Sequence, residues 1–221
     1  MLEKFDLDKV AILVDFDGTI TSKDTNVELI KKYGNKVKDI KKDYREGNLT
    51  FTEYFQAEIS RVQITEEEYV DFILNDIKLS PGFMDFYRTV KEKGIKLGLV
   101  SGGFENGIKP FLSKHGIENM DIFANKLEFN GDQPKIVFRD GMYDECCDLG
   151  PCGNCKLEHY SEYKEDYEKV IFIGDGTTDK PVARISDMVF AKESLANYLE
   201  EHNIDYIAYE DFKDINRKLF Q

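Results

Sequence analysis

The sequence has no long apolar run, and this absence excludes several classes of protein. A membrane-spanning helix needs about 18 or more consecutive apolar residues, and no stretch of the 221-residue chain approaches that length. The start of the chain, MLEKFDLDKV, also lacks the apolar run of a signal peptide. Internal repeats and low-complexity segments are missing as well. We therefore expect a protein of the cytosol with no membrane partner. The length of the chain is sufficient to bury a hydrophobic core.

Basic residues are in the minority. The chain has 30 Lys and Arg residues against 43 Asp and Glu residues, which gives a formal charge of −13, and the acidic excess is spread along the chain. This charge disfavours a nucleic-acid partner. It would also repel a phosphate ester, so a site for such a substrate would need a bound cation and local lysines. The sequence leaves open whether the chain forms a homodimer.

Short apolar runs alternate with helical patterns along most of the chain. The runs, rich in branched side chains, lie at residues 10–14, 95–100, 169–173, 188–191 and 206–209. The helical patterns lie near residues 104–115, 179–186, 194–202 and 211–219. Continuous apolar runs of this length are typical of strands that are buried on both faces. The alternation predicts an α/β fold with a doubly wound, mostly parallel sheet.

Two segments depart from this alternation. Residues 23–80 contain no convincing strand but have apolar residues at helical spacing, which predicts a small helical cap inserted after the first strand. The predicted domains are therefore a core of residues 1–22 and 81–221 and a cap of residues 23–80. In residues 124–139, two strand-like runs flank Asn130-Gly131, which is a strong β-hairpin signal.

Paired carboxylates follow the first predicted strand. Asp15 and Asp17 are two residues apart, so both can point to one side of an extended chain, and Gly18 then allows a sharp turn. The two carboxylates repel each other, and a hard cation such as Mg²⁺ would relieve that repulsion. An acidic turn after a strand, without any metal, would produce the same pattern.

Two further strands end in polar clusters. Asp175 and Asp179 lie in Gly-Asp-Gly-Thr-Thr-Asp after the run at 169–173, and Ser101-Gly-Gly follows the run at 95–100. Because the carboxyl ends of parallel strands share one crevice, we expect these groups to meet Asp15 and Asp17. Ser101 and the glycine backbone could bind phosphate oxygens, although Ser-Gly-Gly is also an ordinary loop sequence.

These motifs resemble those of phosphatases in the haloacid-dehalogenase-like superfamily. The four motifs are Asp15-Phe-Asp17-Gly-Thr19, Ser101-Gly-Gly, a lysine, and Gly-Asp175-Gly-Thr-Thr-Asp179, in the expected order over most of the chain. The resemblance implies a phosphomonoester hydrolase that acts on a small phosphorylated metabolite. Asp15 would be the nucleophile that forms an aspartyl-phosphate, and Asp17 would be the acid and base.

The resemblance also implies the ligands of metal and phosphate. Mg²⁺ would be held by Asp15, the Asp17 carbonyl and Asp175, with Asp179 in support. Phosphate would contact Thr19, Ser101, Gly102 and the motif lysine. For that lysine we choose Lys156, because it precedes the strand at 169–173 by the distance that the family uses. A lysine is otherwise most often a solvated surface residue.

Within the superfamily, two branches with a cap at this position compete. Ser101-Gly-Gly-Phe104 and Ala124-Asn-Lys-Leu are similar to phosphoserine phosphatases. Cys152-Gly-Asn-Cys-Lys156 and the tail from Phe190 onward are more similar to phosphatases that act on 2-hydroxy-3-keto-5-methylthiopentenyl 1-phosphate. Of the two branches, we favour the one that acts on 2-hydroxy-3-keto-5-methylthiopentenyl 1-phosphate.

The ranking depends on two cap positions. Phosphoserine enzymes carry a Glu after the first motif and an Arg in the cap helix, and these positions here hold Asp24 and Glu58, with Arg61 one turn further on. A carboxylate would repel the substrate carboxylate that a guanidinium binds. Asp24 is accordingly a candidate for substrate specificity, and its alternative role is that of a helix N-cap.

Four cysteines lie close together: Cys146, Cys147, Cys152 and Cys155. They could bind a structural Zn²⁺ that holds the loop before Lys156. The alternatives are reduced thiols, which the cytosol favours, and a redox disulfide.

A protein of another class could use the same scaffold. A regulatory protein could bind Mg²⁺ or phosphate without turnover, and fold alone never excludes this. We favour the enzyme, because Asp17 supplies an acid that a binding protein would not need.

Overall fold

The computed structural model describes residues 6–35, 40–141 and 150–221, and within them seven strands form one sheet. The strands are β1 (Val10–Val14), β2 (Lys96–Phe104), β3 (Asp121–Asn130), β4 (Gln133–Val137), β5 (Lys169–Gly174), β6 (Met188–Ala191) and β7 (Ile207–Ala208). Across the sheet their order is β4-β3-β2-β1-β5-β6-β7. All neighbouring strands are parallel except β3 and β4.

Ten α-helices occur in the same parts of the chain. They are α1 (Thr25–Tyr33), α2 (Ile40–Arg45), α3 (Phe51–Ile59), α4 (Glu66–Asp76), α5 (Phe83–Glu92), α6 (Glu105–Lys114), α7 (Lys156–Asp166), α8 (Lys180–Ala183), α9 (Glu193–Glu201) and α10 (Phe212–Phe220). Short 3₁₀ turns precede β1 at Leu7–Lys9 and α8 at Thr177–Asp179.

Helices cover both faces of the sheet. Val10, Ile12 and Val14 of β1 belong to a core that also contains the apolar residues of α5, α6 and α10. Ala11 and Leu13 point to the other face, where α7, α8 and α9 pack. A strand with both faces buried must be apolar at every position, which is why β1 reads as a continuous run. The predicted α/β fold with a doubly wound sheet is confirmed.

The predicted cap and hairpin are also present in the fold. Helices α1 to α4 follow β1, and a bridge between Thr21 and Leu79 brings the entry and the exit of this helical segment together. The segment packs on the sheet core, since the rings of Phe55 and Phe104 stack with their centroids 5.6 Å apart. The hairpin turns at Gly131 between β3 and β4. The division into two domains stays a prediction.

Three features differ from the sequence-based expectation. Strand β2 continues through Ser101-Gly-Gly to Phe104, with a shift in register after Val100. Helices α5 and α7 were not among the predicted helical patterns.

No helix in the described ranges is both long enough and apolar enough to cross a membrane. The cytosolic location stays a prediction.

Candidate active site

The carboxyl ends of three adjacent strands bring the predicted motifs together. Val14, the last residue of β1, pairs with Leu99 of β2 and with Ile173 of β5. Asp15 continues this alignment, because its N–H donates to the carbonyl of Ile173 over 2.9 Å. The groups that follow β1 and β5 and the Ser101-Gly-Gly part of β2 therefore lie at one edge of the sheet, as the sequence predicts.

Lys156 lies between two of the predicted carboxylates. Its ammonium donates to Asp15 Oδ1, and to Asp179 Oδ1 over 2.6 Å. All three side chains are buried. Burial lowers the pKa of Lys156, but the adjoining charges of Asp15 and Asp179 outweigh it and raise that pKa. Burial also raises the pKa of Asp15, and Lys156 opposes this effect while the nearby carboxylates add to it.

Asp175 completes a group of carboxylates that could hold a cation. One oxygen each of Asp15, Asp175 and Asp179 can be chosen so that all three lie within 4.8 Å of one another. Burial and the charge of Asp179 raise the pKa of Asp175 to about 7, so the negative charge here is poorly compensated. A cluster of oxygen donors with excess negative charge suits Mg²⁺. Gly18 leaves room for the Asp175 carboxylate, because a Cβ there would lie 2.6 Å from Asp175 Oδ2.

Asp179 and Thr19 fix this group. Asp179 Oδ2 accepts the backbone N–H groups of Asp175 and Gly176 over 3.0 and 2.9 Å, so Asp179 closes its own turn. The Thr19 hydroxyl is fully buried and donates to Asp175 Oδ1 over 2.7 Å. In this arrangement Thr19 orients a carboxylate, and the phosphate contact predicted for Thr19 stays a prediction.

Asp17 is not a member of this group, and two hydroxyls hold its side chain. Asp17 Oδ2 accepts the Ser101 hydroxyl over 2.8 Å, and Oδ1 accepts the hydroxyl of Thr25, the first residue of α1. Burial raises the pKa of Asp17, although both hydroxyls oppose the rise. Ser101 Oγ in turn accepts the N–H of Gly103 over 2.7 Å. That N–H is therefore engaged within the protein, whereas the sequence suggested that both glycine N–H groups could face phosphate.

A cavity of about 640 Å³ opens between this edge and the helical segment. Asp15, Asp17, Gly102, Asp175 and Asp179 line its floor. Most of the residues that α1 and α3 contribute to its wall are apolar or aromatic, namely Val27, Ile30, Phe51, Tyr54 and Phe55. Charged side chains also reach the cavity, namely Lys23, Asp24, Lys41, Glu58 and Glu193. The site can therefore hold a phosphate at its floor and an organic group against its wall.

The two cap positions have clear structural roles. Asp24 is the N-cap of α1, because its Oδ1 accepts the N–H of Val27 over 2.9 Å. Its partial enclosure in the cavity and the charge of Asp17 raise the pKa of Asp24 to about 6. Glu58 pairs with Arg61 over 2.9 Å, and Arg61 also donates to the carbonyl of Asn35. Arg61 is not among the residues that line the cavity.

The cysteine cluster is only half described. Cys152 and Cys155 are buried beside the start of α7, and Cys155 is the N-cap residue of that helix. Cys146 and Cys147 lie outside the described residues, so the proposed Zn²⁺ site stays a prediction. The part of the chain that the structure describes contains no group of possible metal ligands besides Asp15, Asp175 and Asp179.

Sequence reasoning missed three polar residues of the site. Thr25 contacts Asp17, and the buried side chains of Asn125 and Asn154 donate to the carbonyls of Gly102 and Ser101. The only signal for the asparagines was their position in Ala124-Asn-Lys-Leu and in Cys152-Gly-Asn-Cys-Lys156. Thr25 had no signal beyond its place after a helix N-cap.

Comparison with known proteins identifies the family. The model of the haloacid dehalogenase-like hydrolase family matches residues 12–184. A 2-hydroxy-3-keto-5-methylthiopentenyl-1-phosphate phosphatase of Brevibacillus brevis is 31% identical, and the match covers 96% of each chain. A protein of the same description from Bacillus velezensis is 29% identical, over 92% of this chain and 87% of that one. The chain belongs to the haloacid dehalogenase-like hydrolase family.

The fold has close structural neighbours. A structure described as a phospho-aspartyl intermediate analogue of phosphoserine phosphatase has a TM-score of 0.72 and 23% identity, and the alignment covers 96% of this chain and 99% of that one. This likeness shows the shared fold. The family match and the Brevibacillus brevis relative identify the chain as a phosphatase of its family.

Proposed function

We propose that this phosphatase is Mg²⁺-dependent and hydrolyses a small phosphomonoester through an aspartyl-phosphate on Asp15. The observation that supports this most directly is the position of Asp15 at the cavity floor, beside Lys156 and within the carboxylate group. Bound at Asp15, Asp175 and Asp179, Mg²⁺ would supply charge neutralisation and polarisation of phosphoryl oxygens.

The chain's own residues account for both halves of the reaction. A carboxylate oxygen of Asp15 attacks phosphorus and the ester P–O bond breaks, while Asp17 gives its proton to the leaving alkoxide. In the second half, Asp17 takes a proton from water as that water attacks phosphorus, which releases phosphate and restores Asp15. The raised pKa of Asp17 suits an acid that is protonated before the first step.

Lys156 and Ser101 support the phosphoryl group. The ammonium of Lys156 would offset charge between Asp15 and the incoming phosphate, which the net negative charge of the protein otherwise opposes. Ser101 holds Asp17, and Gly102 is exposed to the cavity at the same edge. Asp24 contacts the organic part of the substrate in this proposal, besides capping α1.

For the substrate we propose 2-hydroxy-3-keto-5-methylthiopentenyl 1-phosphate, as in the Brevibacillus brevis relative. The apolar wall fits an uncharged arm, and Glu58, which lines the cavity and pairs with Arg61, keeps that guanidinium from binding a substrate carboxylate. The alternative is a phosphoserine phosphatase, which the neighbouring structure and the two lysines at the cavity favour. Both lysines are already engaged, since Lys23 pairs with Glu28 over 3.6 Å and Lys41 also has an interaction partner.

A comparison of kcat/KM tests the substrate. We expect the keto ester to be preferred over phosphoserine by about 10²-fold or more, since an unpaired charge in the wall would cost several kcal/mol. Glu58→Gln should improve phosphoserine hydrolysis, and the exposed Glu92→Gln should not. A preference for phosphoserine would overturn the substrate, whereas an absence of turnover with any phosphate ester would overturn the enzyme and favour the regulatory alternative.

A further inference from the structure

Two buried asparagines hold the Ser101-Gly102-Gly103 segment from behind. Asn154 Nδ2 donates to the Ser101 carbonyl over 2.7 Å, and Asn125 Nδ2 donates to the Gly102 carbonyl over 2.8 Å. The two asparagine side chains come from distant parts of the chain, β3 and the loop before α7. Asn125 is 1% exposed and Asn154 is 3% exposed. Polar groups that are buried this deeply are almost always hydrogen-bonded, so these hydrogen bonds explain the presence of the two asparagines.

Because the peptide bond is planar, a hydrogen bond that fixes a carbonyl group also fixes the direction of the next N–H group. In a trans peptide the C=O of one residue and the N–H of the next point in opposite directions. When Asn154 fixes the carbonyl of Ser101, it therefore also aims the N–H of Gly102 away from itself. Among the three residues of this segment, Gly102 is the one that lines the cavity. Asn125 fixes the next peptide in the same way, and the N–H of Gly103 then reaches Ser101 Oγ over 2.7 Å.

Two hydrogen-bonded chains result, and they end at different places. The first runs from Asn125 through the Gly102–Gly103 peptide to Ser101 Oγ, which donates to Asp17 over 2.8 Å. The second runs from His159 through Asn154 to the Ser101–Gly102 peptide. His159 Nε2 must be its donor, because it faces the amide oxygen of Asn154, which only accepts. Hydrogen bonds in such chains polarise one another.

The loop that carries Asn154 is held at several points. The N–H of Asp140 donates to the carbonyl of Gly153 over 3.0 Å, and Asp140 Oδ2 accepts the N–H of Cys155. Gly153 has a φ of +78°, and a Cβ there would lie 2.1 Å from the ring of Phe138. The next residue after Cys155 is Lys156. One buried loop therefore sets the position of Lys156 and the direction of the Ser101–Gly102 peptide.

We infer that Asn154 and Asn125 are positioning residues with separate effects on the reaction, an inference that rests on the proposed roles of Asp17 and Gly102. Asn154 aims the Gly102 N–H at the phosphate, so it acts on phosphate binding. Asn125 holds the Ser101 hydroxyl on Asp17, so it acts on proton transfer to the leaving group. Neither asparagine lines the cavity, so both act through the Ser101-Gly102-Gly103 segment.

Alanine variants at the two positions test this division. Asn154→Ala should raise KM and the inhibition constant of inorganic phosphate by about tenfold to a hundredfold. Losses of affinity of this size are typical when a residue that orients a ligand-binding group is removed. That change should be equal for p-nitrophenyl phosphate and for an alkyl phosphate. Asn125→Ala should instead lower kcat, by several-fold more for the alkyl phosphate, whose poor leaving group needs the proton.

Asn216→Ala is the matched control. Asn216 also donates its amide to a backbone carbonyl, that of Gly82, and neither residue lines the cavity. It should lower the melting temperature without changing phosphate inhibition or leaving-group dependence. Where an alanine variant does not fold, Asn154→Asp or Asn125→Asp keeps the shape, lacks the donor nitrogen and should give the same change.

The outcomes are separable. A loss of melting temperature in both variants, with phosphate inhibition and the ratio of the two esters as in the wild type, would overturn the inference and leave a structural role only. Identical kinetic effects of both variants would overturn the division of roles. Failure of the wild-type protein to hydrolyse either ester would instead overturn the proposed function.

Discussion

The floor and the wall of the cavity are built on different principles. Each carboxylate of the floor has a fixed polar partner, as Asp15 has Lys156 and Asp175 has Thr19. The wall is formed largely by apolar side chains of α1 and α3, and Val27 among them is 44% exposed. A floor that is held by directional bonds is preorganised for one chemistry. A wall that is held by packing can change its shape without disturbing that chemistry, so the two should respond differently to substitution.

The largest expected effect is at the floor. Asp15→Asn should reduce turnover of p-nitrophenyl phosphate by more than about 10³-fold, because the amide cannot form the acyl phosphate. The amide is nearly isosteric, so the melting temperature should stay close to that of the wild type. Asp85→Asn, at an exposed position on α5, is the control. Turnover near the wild-type rate in Asp15→Asn would contradict the mechanism.

Asp17→Asn should have the next largest effect, and that effect should depend on the ester. For an alkyl phosphate we expect a loss of about 10²- to 10⁴-fold, because no proton reaches the leaving alkoxide. The rate of enzyme phosphorylation by p-nitrophenyl phosphate should fall less, since its leaving group is stable without a proton. Equal losses for both esters, measured in single-turnover experiments, would remove Asp17 from the acid role.

Removal of the metal should affect the floor and spare the wall. Chelation should lower activity by about 10²-fold or more, since a Lewis acid contributes several kcal/mol to the transition state. Mg²⁺ should restore the rate, whereas the larger Ca²⁺ should bind and support little turnover. Full activity after exhaustive treatment with EDTA would contradict the metal dependence.

The smallest expected effect is at the wall. Val27→Ser removes exposed apolar surface and should raise KM for an ester with an apolar arm by about two- to fivefold. KM for a short alkyl phosphate, and kcat for both, should not change. Val137→Ser is the matched control, because Val137 is 38% exposed but does not line the cavity. A fall in kcat with both esters would show that floor and wall are not independent.

Sequence patterns predicted β1, β2, β5 and β6 well because these strands are buried on both faces. Helix α7 was missed for a physical reason, since its buried face consists of Lys156, His159, Tyr160 and Tyr163. These residues have helical spacing but are polar or aromatic, so a search for apolar periodicity does not find them. Helix α5 did carry the usual signal, with buried Phe83, Phe86, Tyr87 and Val90 on one face.

At the site, the groups that follow the strands were predictable and their partners were not. Asp15 and Asp175 each follow a strand within a short motif, and parallel strands then bring them together. The Thr19 hydroxyl, by contrast, donates a hydrogen bond to Asp175, which is 156 positions away in the sequence. Asn154 donates a hydrogen bond to Ser101, which is 53 positions away. No local pattern encodes such distances, so these contacts appear only when the chain is folded.

The hydrogen bond from Thr25 to Asp17 has a consequence for how this family could be re-engineered. Thr25 is the first residue of α1, so Asp17, the proposed acid and base, is tied to the helical segment as well as to the sheet. A chimaera that replaced the segment from residue 25 onward would import a new substrate wall and would also remove one hydrogen-bond partner of Asp17. The helical segment is therefore not an interchangeable module: a graft that keeps Thr25 should keep its chemistry, and one that discards Thr25 must supply another hydroxyl there.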